Sequence, residues 1–350
     1  MLHVVSAIAI LMLVPALSLL YRPFLDASDG RARTVLTLAV ATSTAGVWII
    51  VSSLVPSVSS SALWLPTTAL AALAGFLSSI PLRDGPSRPL PILVYSSAWS
   101  LCVFVPVALV VIFPHHLDLV AAFGILDLGG ALPVHVAAGA SVLALLLVKG
   151  RYPRSSRPHV LPGKRRLVAS GIILWVGWAV GLAGLELAFD DLTPLIVANS
   201  VLAPLAGVFG WTLIERIRTN TSTPSGLMGG LLCGLVAITP GGGLLSPGAA
   251  LITGAVAGAC CASLTFARVA ATGQRAWFLV SAHLVAASVG LVSLALLGTG
   301  FGFVYTGQMG QVQVQLFSVV GVAAWAGGVS LLLWSLTRRL VPSTSEAVPA

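Results

Sequence analysis

Two histidines stand where histidine is costly. His135 and His283 each lie inside a long apolar run. His135 precedes Lys149 by 14 residues, about 21 Å at helical rise, and His283 follows Arg275 by 8, about 12 Å. Both therefore sit deep within segments of membrane-spanning length. A neutral imidazole offers one N–H donor and one ring-nitrogen acceptor, so two facing imidazoles can pass a hydrogen bond or a proton along a narrow path. The plainer alternative is two unrelated histidines, each bonded to a backbone carbonyl. Ionisable residues at membrane depth are functional by default, which favours the paired reading. Asp127 stands eight residues before His135, in Leu126-Asp-Leu-Gly-Gly130. A carboxylate there can hold a cation or cap a helix start by accepting backbone N–H groups. The capping role, supporting a site from a buried position, is the expected one.

Other reactive side chains have plainer readings. Glu186, Asp190 and Asp191 crowd one polar break and read as a solvated turn, although such charges also draw cations toward a mouth. His115 and His116 read as loop residues. Cys102, Cys233, Cys260 and Cys261 all fall in apolar runs and read as small packing residues. Trp64, Trp99, Trp175, Trp178, Trp211, Trp277, Trp325 and Trp334 fit packing or interface belts at least as well as a substrate cage. The residues show no nucleophile–base spacing, metal-ligand cluster or cofactor motif, so neither an enzyme nor a cofactor is expected.

The elements that position these residues follow from composition. Of 350 residues, 57% are hydrophobic and 8% charged, against about 25% charged in soluble domains. Too few charges exist to build a water-facing surface, so lipid surrounds most of the chain. Apolar runs of spanning length predict eleven helices, at roughly 3–21, 34–55, 62–82, 90–113, 119–148, 167–188, 192–214, 225–240, 245–267, 276–299 and 313–337. The eighth ends in Thr239-Pro-Gly-Gly-Gly243 and reads as short or broken. The first lacks a preceding basic stretch and reads as a membrane helix rather than a cleaved signal.

All 18 Lys and Arg residues fall after odd-numbered spans. They are Arg22, Arg31 and Arg33; Arg83 and Arg88; Lys149, Arg151, Arg154, Arg157, Lys164, Arg165 and Arg166; Arg216 and Arg218; Arg268 and Arg275; and Arg338 and Arg339. Cytoplasmic loops carry the cations, which places the N-terminus outside and the C-terminus inside. The net charge of +8 thus reports topology and contact with anionic membrane lipid, not nucleic-acid binding. The chain reads as one membrane domain over 1–340 with a short cytoplasmic tail at 341–350.

Spans 5 and 10 share a pattern: a histidine, then small residues one turn on, Ala138 and Gly139 in one and Ala286 and Ala287 in the other. Small residues there let another helix approach closely. The charge pattern runs these spans in opposite directions. The expected architecture is an all-α polytopic membrane protein with an inverted five-plus-five repeat, halves at about 1–150 and 165–300, and an eleventh helix at about 313–337. Transporters so built place their site between the halves.

With these residues in view, the chain resembles the ammonium transporter (Amt/Mep/Rh) family over nearly its whole length, as a divergent member. The strongest segment is Leu126-Asp-Leu-Gly-Gly-Ala-Leu-Pro-Val-His-Val-Ala-Ala-Gly139, which has the family's aspartate-to-histidine spacing. Trp99 with Val105-Pro-Val-Ala108, Pro158-His-Val-Leu-Pro162, Leu174-Trp-Val-Gly-Trp178, Gly234-Leu-Val-Ala-Ile-Thr-Pro240, Pro247-Gly-Ala-Ala-Leu-Ile-Thr-Gly254 and His283-Leu-Val-Ala-Ala-Ser-Val-Gly290 match in order and spacing.

The resemblance implies a homotrimer of eleven-helix protomers in a cell membrane, as in a bacterial inner membrane. Each protomer would carry a hydrophobic pore for ammonium or ammonia, with His135 and His283 as its twin histidines. It also locates departures. The family's gate phenylalanines fall on Gly181, just after Trp178, and near Leu65. Its recruiting serine falls on Leu185, its vestibule tryptophan on Ile112, and the aspartate before its second histidine on Phe278. The short tail argues against docking of a PII-type regulator. A wider channel for another small neutral solute, or a non-transporting membrane sensor or scaffold, are the alternatives these departures raise.

Overall fold

The computed structural model describes residues 1–21, 30–83, 89–113, 124–149 and 164–340. Arg22, Arg88, Arg151, Arg154, Arg157, His115, His116, the 158–162 motif and the 341–350 tail lie outside them. Among the described residues, eleven helices are long and apolar enough to cross a membrane. They are α1 (Leu2–Leu20), α2 (Thr34–Ser53), α3 (Trp64–Leu82), α4 (Pro89–Ile112), α5 (Ala131–Val148), α6 (Arg165–Leu185), α7 (Leu192–Thr219), α8 (Pro224–Gly241), α9 (Pro247–Thr272), α10 (Trp277–Leu297) and α11 (Gly310–Arg339). Helix is the expected solution, because lipid offers no partner to a backbone N–H or C=O.

The spans match their expected positions with one substantial difference. The fifth begins at Ala131, not near 119. Residues 124–130 are non-helical, and Gly130 has φ +74°, a left-handed conformation that a β-carbon would strain. Elsewhere α7 and α9 run about a turn past the apolar stretch, since hydropathy marks the lipid-facing length and not the polar last turn.

The bundle is built from close pairs. α1 lies against α6 and α3, α7 is flanked by α8 and α9, and α11 runs along α5. The chain's broken helix is α8: regular helix ends at Ile238 and one 3₁₀ turn, Thr239–Gly241, follows. Its Pro240 carbonyl accepts the Leu128 N–H at 3.1 Å, tying the 124–130 loop to the end of α8. On the other side the Gln315 side-chain amide Nε2 donates to the Leu126 carbonyl at 2.7 Å.

Both histidine-bearing spans carry a π-helical stretch near their start, Ala131–Val136 opening α5 and Val280–Val285 following the first residues of α10, Trp277–Leu279. The extra residue per turn re-aims the side chains near it. α5 and α10 meet at Gly139. A β-carbon built there would lie 2.8 Å from Leu284 Cβ and 2.9 Å from its Cα, so only glycine allows the approach. Gly46, in α2, has open space around it. Gly139→Ala is expected to lower the thermal unfolding midpoint of the detergent-solubilised protein, at an overpacking cost of about 1–3 kcal/mol. Gly46→Ala is expected to leave the midpoint unchanged or raise it.

Candidate functional site

His135 and His283 come together from spans five apart, across 148 residues of sequence. His135 Nδ1 and His283 Nδ1 are 3.1 Å apart. The two rings stack with centroids 5.1 Å apart and 19° between planes. On the other side of His135 lies Trp178, stacked at 5.3 Å and 14°. Both histidines are 2% exposed, so bulk water does not satisfy their ring nitrogens.

Trp178 is held by a bond from its Nε1 to Thr239 Oγ1 at 3.0 Å. That hydroxyl in turn donates to the Leu235 carbonyl at 2.9 Å. The broken end of α8 thus fixes the indole, and the indole fixes the face of His135. The far nitrogen of His283, Nε2, meets the hydroxyl of Tyr21 at the end of α1. Tyr21 is fully buried and packs edge-on against Phe278, centroids 6.0 Å apart.

Two wirings satisfy this line of groups. In one, Tyr21 donates to His283 Nε2, His283 Nδ1–H donates to His135 Nδ1, and His135 keeps a proton on Nε2. In the other, every donor and acceptor along the two rings is exchanged, and His135 Nε2 is an acceptor. Switching between them moves a proton from one end of the pair to the other.

Beside His135 is a cavity of about 20 Å³, room for one water-sized molecule. It is lined by Trp178, Gly181, Leu182, Leu185 and Thr239 from one side and by Ile10, Leu13, Leu70 and Leu73 from the other. The expected Gly181, Leu185 and Trp178 therefore do gather at His135. Ile112 and Leu65 do not line this cavity; both pack against the core as partly buried side chains. Leucines make up much of its wall: Leu13, Leu70, Leu73, Leu182 and Leu185. Phe278 lies beyond His283, wedged between Tyr21 and Trp211.

Asp127 caps the start of α5. Its Oδ1 accepts the Ala131 N–H and its Oδ2 the Leu132 N–H, each at 2.7 Å. Burial pushes its carboxyl up to about 6, against the lowering effect of those backbone bonds. In the polar break after α6, Asp190 and Asp191 are exposed, while partial burial and the charge of Asp190 raise the Glu186 carboxyl. Among the described residues, no group of three or more His, Cys, Asp or Glu is placed to hold a metal ion. Cys233 and Cys261 are buried packing residues, whereas Cys260 is exposed and Cys102 intermediate.

The residue that sequence reasoning missed is Tyr21. Its only signal was a hydroxyl at the end of an otherwise apolar span.

The Asp127 carboxyl gives a pH test. Folded, it holds its proton to about pH 6; unfolded, it loses it near 3.8. Between these values the folded state binds more protons, so stability falls as pH rises through the window and levels above it. Unfolding of the solubilised protein between pH 4 and 7 is expected to show this slope. Asp127→Asn, with no proton to lose at that position, is expected to flatten it, leaving the smaller contribution of the raised Glu186 carboxyl.

Comparison with known proteins fits this geometry. A sequence profile of the Ammonium Transporter Family matches residues 60–346. An ammonium transporter of Bacillus subtilis is 34% identical over 174 residues, covering 48% of this chain and 41% of that protein. The chain spans about half the length of the curated relatives it matches. The crystal structure of Saccharomyces cerevisiae Mep2 superposes with a TM-score of 0.83 at 22% identity, covering 97% of this chain and 85% of that one. A structure titled Sensor Amt Protein superposes at 0.79 with 16% identity, covering 97% and 92%. The chain is a multi-pass membrane protein that belongs to the ammonium transporter family.

Proposed function

We propose that this protein conducts ammonium or ammonia across the membrane through the passage that contains His135 and His283. The observation that carries this reading is the hydrogen-bonded histidine pair beside a cavity for one small molecule, buried inside an eleven-span bundle. Ammonia fits that cavity. A bare ammonium ion in such apolar surroundings is too costly, whereas losing its proton removes the cost. His135 and His283 then serve as hydrogen-bond partners for the neutral amine and as a path for the proton, using the two wirings available to them.

The positions of the cations support an N-terminus outside and a C-terminus inside. The matched π-helical stretches near the starts of α5 and α10 support an inverted five-plus-five repeat with α11 added, in one membrane domain. By family membership the working assembly is a homotrimer in lipid. Leu185 and Ile112 offer a cation neither a hydrogen-bond acceptor nor a π face, so recruitment on that side is weak and apparent affinity low. Passage of another small neutral solute of similar size remains within the same geometry.

One observation favours a second reading, a sensor that binds without conducting. The Tyr21 hydroxyl occupies His283 Nε2 and so closes the line of groups on that side. Conduction then requires Tyr21 to swing away.

Proteoliposomes given an ammonium pulse, with current and internal pH both recorded, separate these readings. The intact protein is expected to respond and empty liposomes not. His135→Ala/His283→Ala is expected to lower the rate at least tenfold. Tyr21→Phe, which removes the cap and keeps the ring, is expected to raise it. No response from folded intact protein or from Tyr21→Phe would leave the sensor reading.

A further inference from the structure

Between α4 and α11 lies a groove of about 300 Å³. One wall is α4 from Pro106 to Val111, and the other is α11 from Ser318 to Trp325. Ile125 and Leu132, which flank Asp127 in sequence, also line it. α11 is the least buried of the eleven spans, and Gly321 and Trp325 are exposed. The groove therefore opens onto the lipid side of the bundle, away from the histidine pair.

Two lining side chains carry polar atoms, and both have partners elsewhere. The Ser318 hydroxyl donates to the Val314 carbonyl of its own helix at 2.8 Å. Trp325 Nε1 donates to the Cys102 carbonyl at 3.0 Å, a group that Pro106, with no N–H, cannot serve. The remaining lining side chains are aliphatic. An occupant thus finds no side-chain hydrogen bond here. Ordered water needs about two to four polar partners, so water is a poor filling for this space.

The length of the groove selects its occupant. Two bonds tie α11 down at its ends, Gln315 to the Leu126 carbonyl and Trp325 to the Cys102 carbonyl. Residues 315 and 325 are about 15 Å apart along the helix. A hydrocarbon core is about 30 Å thick, so an acyl chain of one leaflet reaches about 15 Å. Between the two ties, a β-carbon built on Gly321 meets nothing within 4 Å. Left empty, the walls would lose dispersion contacts on that side. We propose that one acyl chain of a membrane phospholipid occupies this groove as a fixed part of the protein. Packed on Ile125 and Leu132, it braces the turn that Asp127 caps and, through it, the start of the His135 span. The site is independent of what crosses the passage.

The full chain in nanodiscs, with phosphatidylglycerol carrying a diazirine midway along one acyl chain, tests it. After illumination, adducts are expected to concentrate on residues 106–111 and 318–325. Gly321→Leu, whose side chain enters the groove, is expected to cut them about tenfold by steric exclusion. Gly321→Ala is expected to give a partial loss, and carries the test if Gly321→Leu fails to fold. Gly328 also has open space around it and lies outside the groove, so Gly328→Leu is expected to leave the adducts in place and controls for removing a helical glycine. In detergent, added phosphatidylglycerol is expected to raise the unfolding midpoint of the intact chain and of Gly328→Leu, but not of Gly321→Leu. Adducts spread evenly along the exposed face of α11 and insensitive to Gly321→Leu and Gly321→Ala show ordinary solvation by lipid and overturn the proposal. A groove that takes no adduct in the folded protein is closed or filled by another copy of the chain, and overturns it as well.

Discussion

A ring nitrogen buried away from water must have a partner, and most of the bundle's interior follows from meeting that demand for two imidazoles. His135 and His283 satisfy each other only if α5 and α10 nearly touch, which requires Gly139 against Leu284. The π-helical stretches near the start of both spans turn the rings toward each other. Trp178 braces His135 and is itself held by Thr239 at the broken end of α8. The same end of α8 holds Leu128, and Asp127 holds the first turn of α5. Each support is a polar bond placed where lipid and side chains offer no other partner.

Much of this was legible in the sequence because a bilayer imposes simple rules. A spanning helix must be long and apolar, so ten of the eleven spans could be placed within a turn or so at their starts. The fifth misled because apolar residues precede Asp127, while the glycines at 129 and 130 break the helix after it. His135, His283 and Asp127 were conspicuous as polar groups in apolar surroundings. Tyr21 was not, since nothing local connects it to a histidine 262 residues away.

The two sides of the histidine pair differ in kind. Toward α6 the lining is Trp178 with Leu182 and Leu185. Toward α7 the neighbours of His283 are aromatic, Tyr21 and Phe278, with Trp211 behind them. The Phe278 ring packs edge-on against both Tyr21 and Trp211, and so links the group that bonds His283 to α7.

The volume beside His135 has a consequence of its own. A space of about 20 Å³ admits one small molecule and no hydration shell around it. In the passage proposed above, an occupant must shed its waters first and cannot overtake or be overtaken. Traffic is therefore a queue, in which the departure of one occupant licenses the arrival of the next. Movement in one direction then obstructs movement in the other, and an inert molecule of the right size becomes a plug simply by waiting its turn.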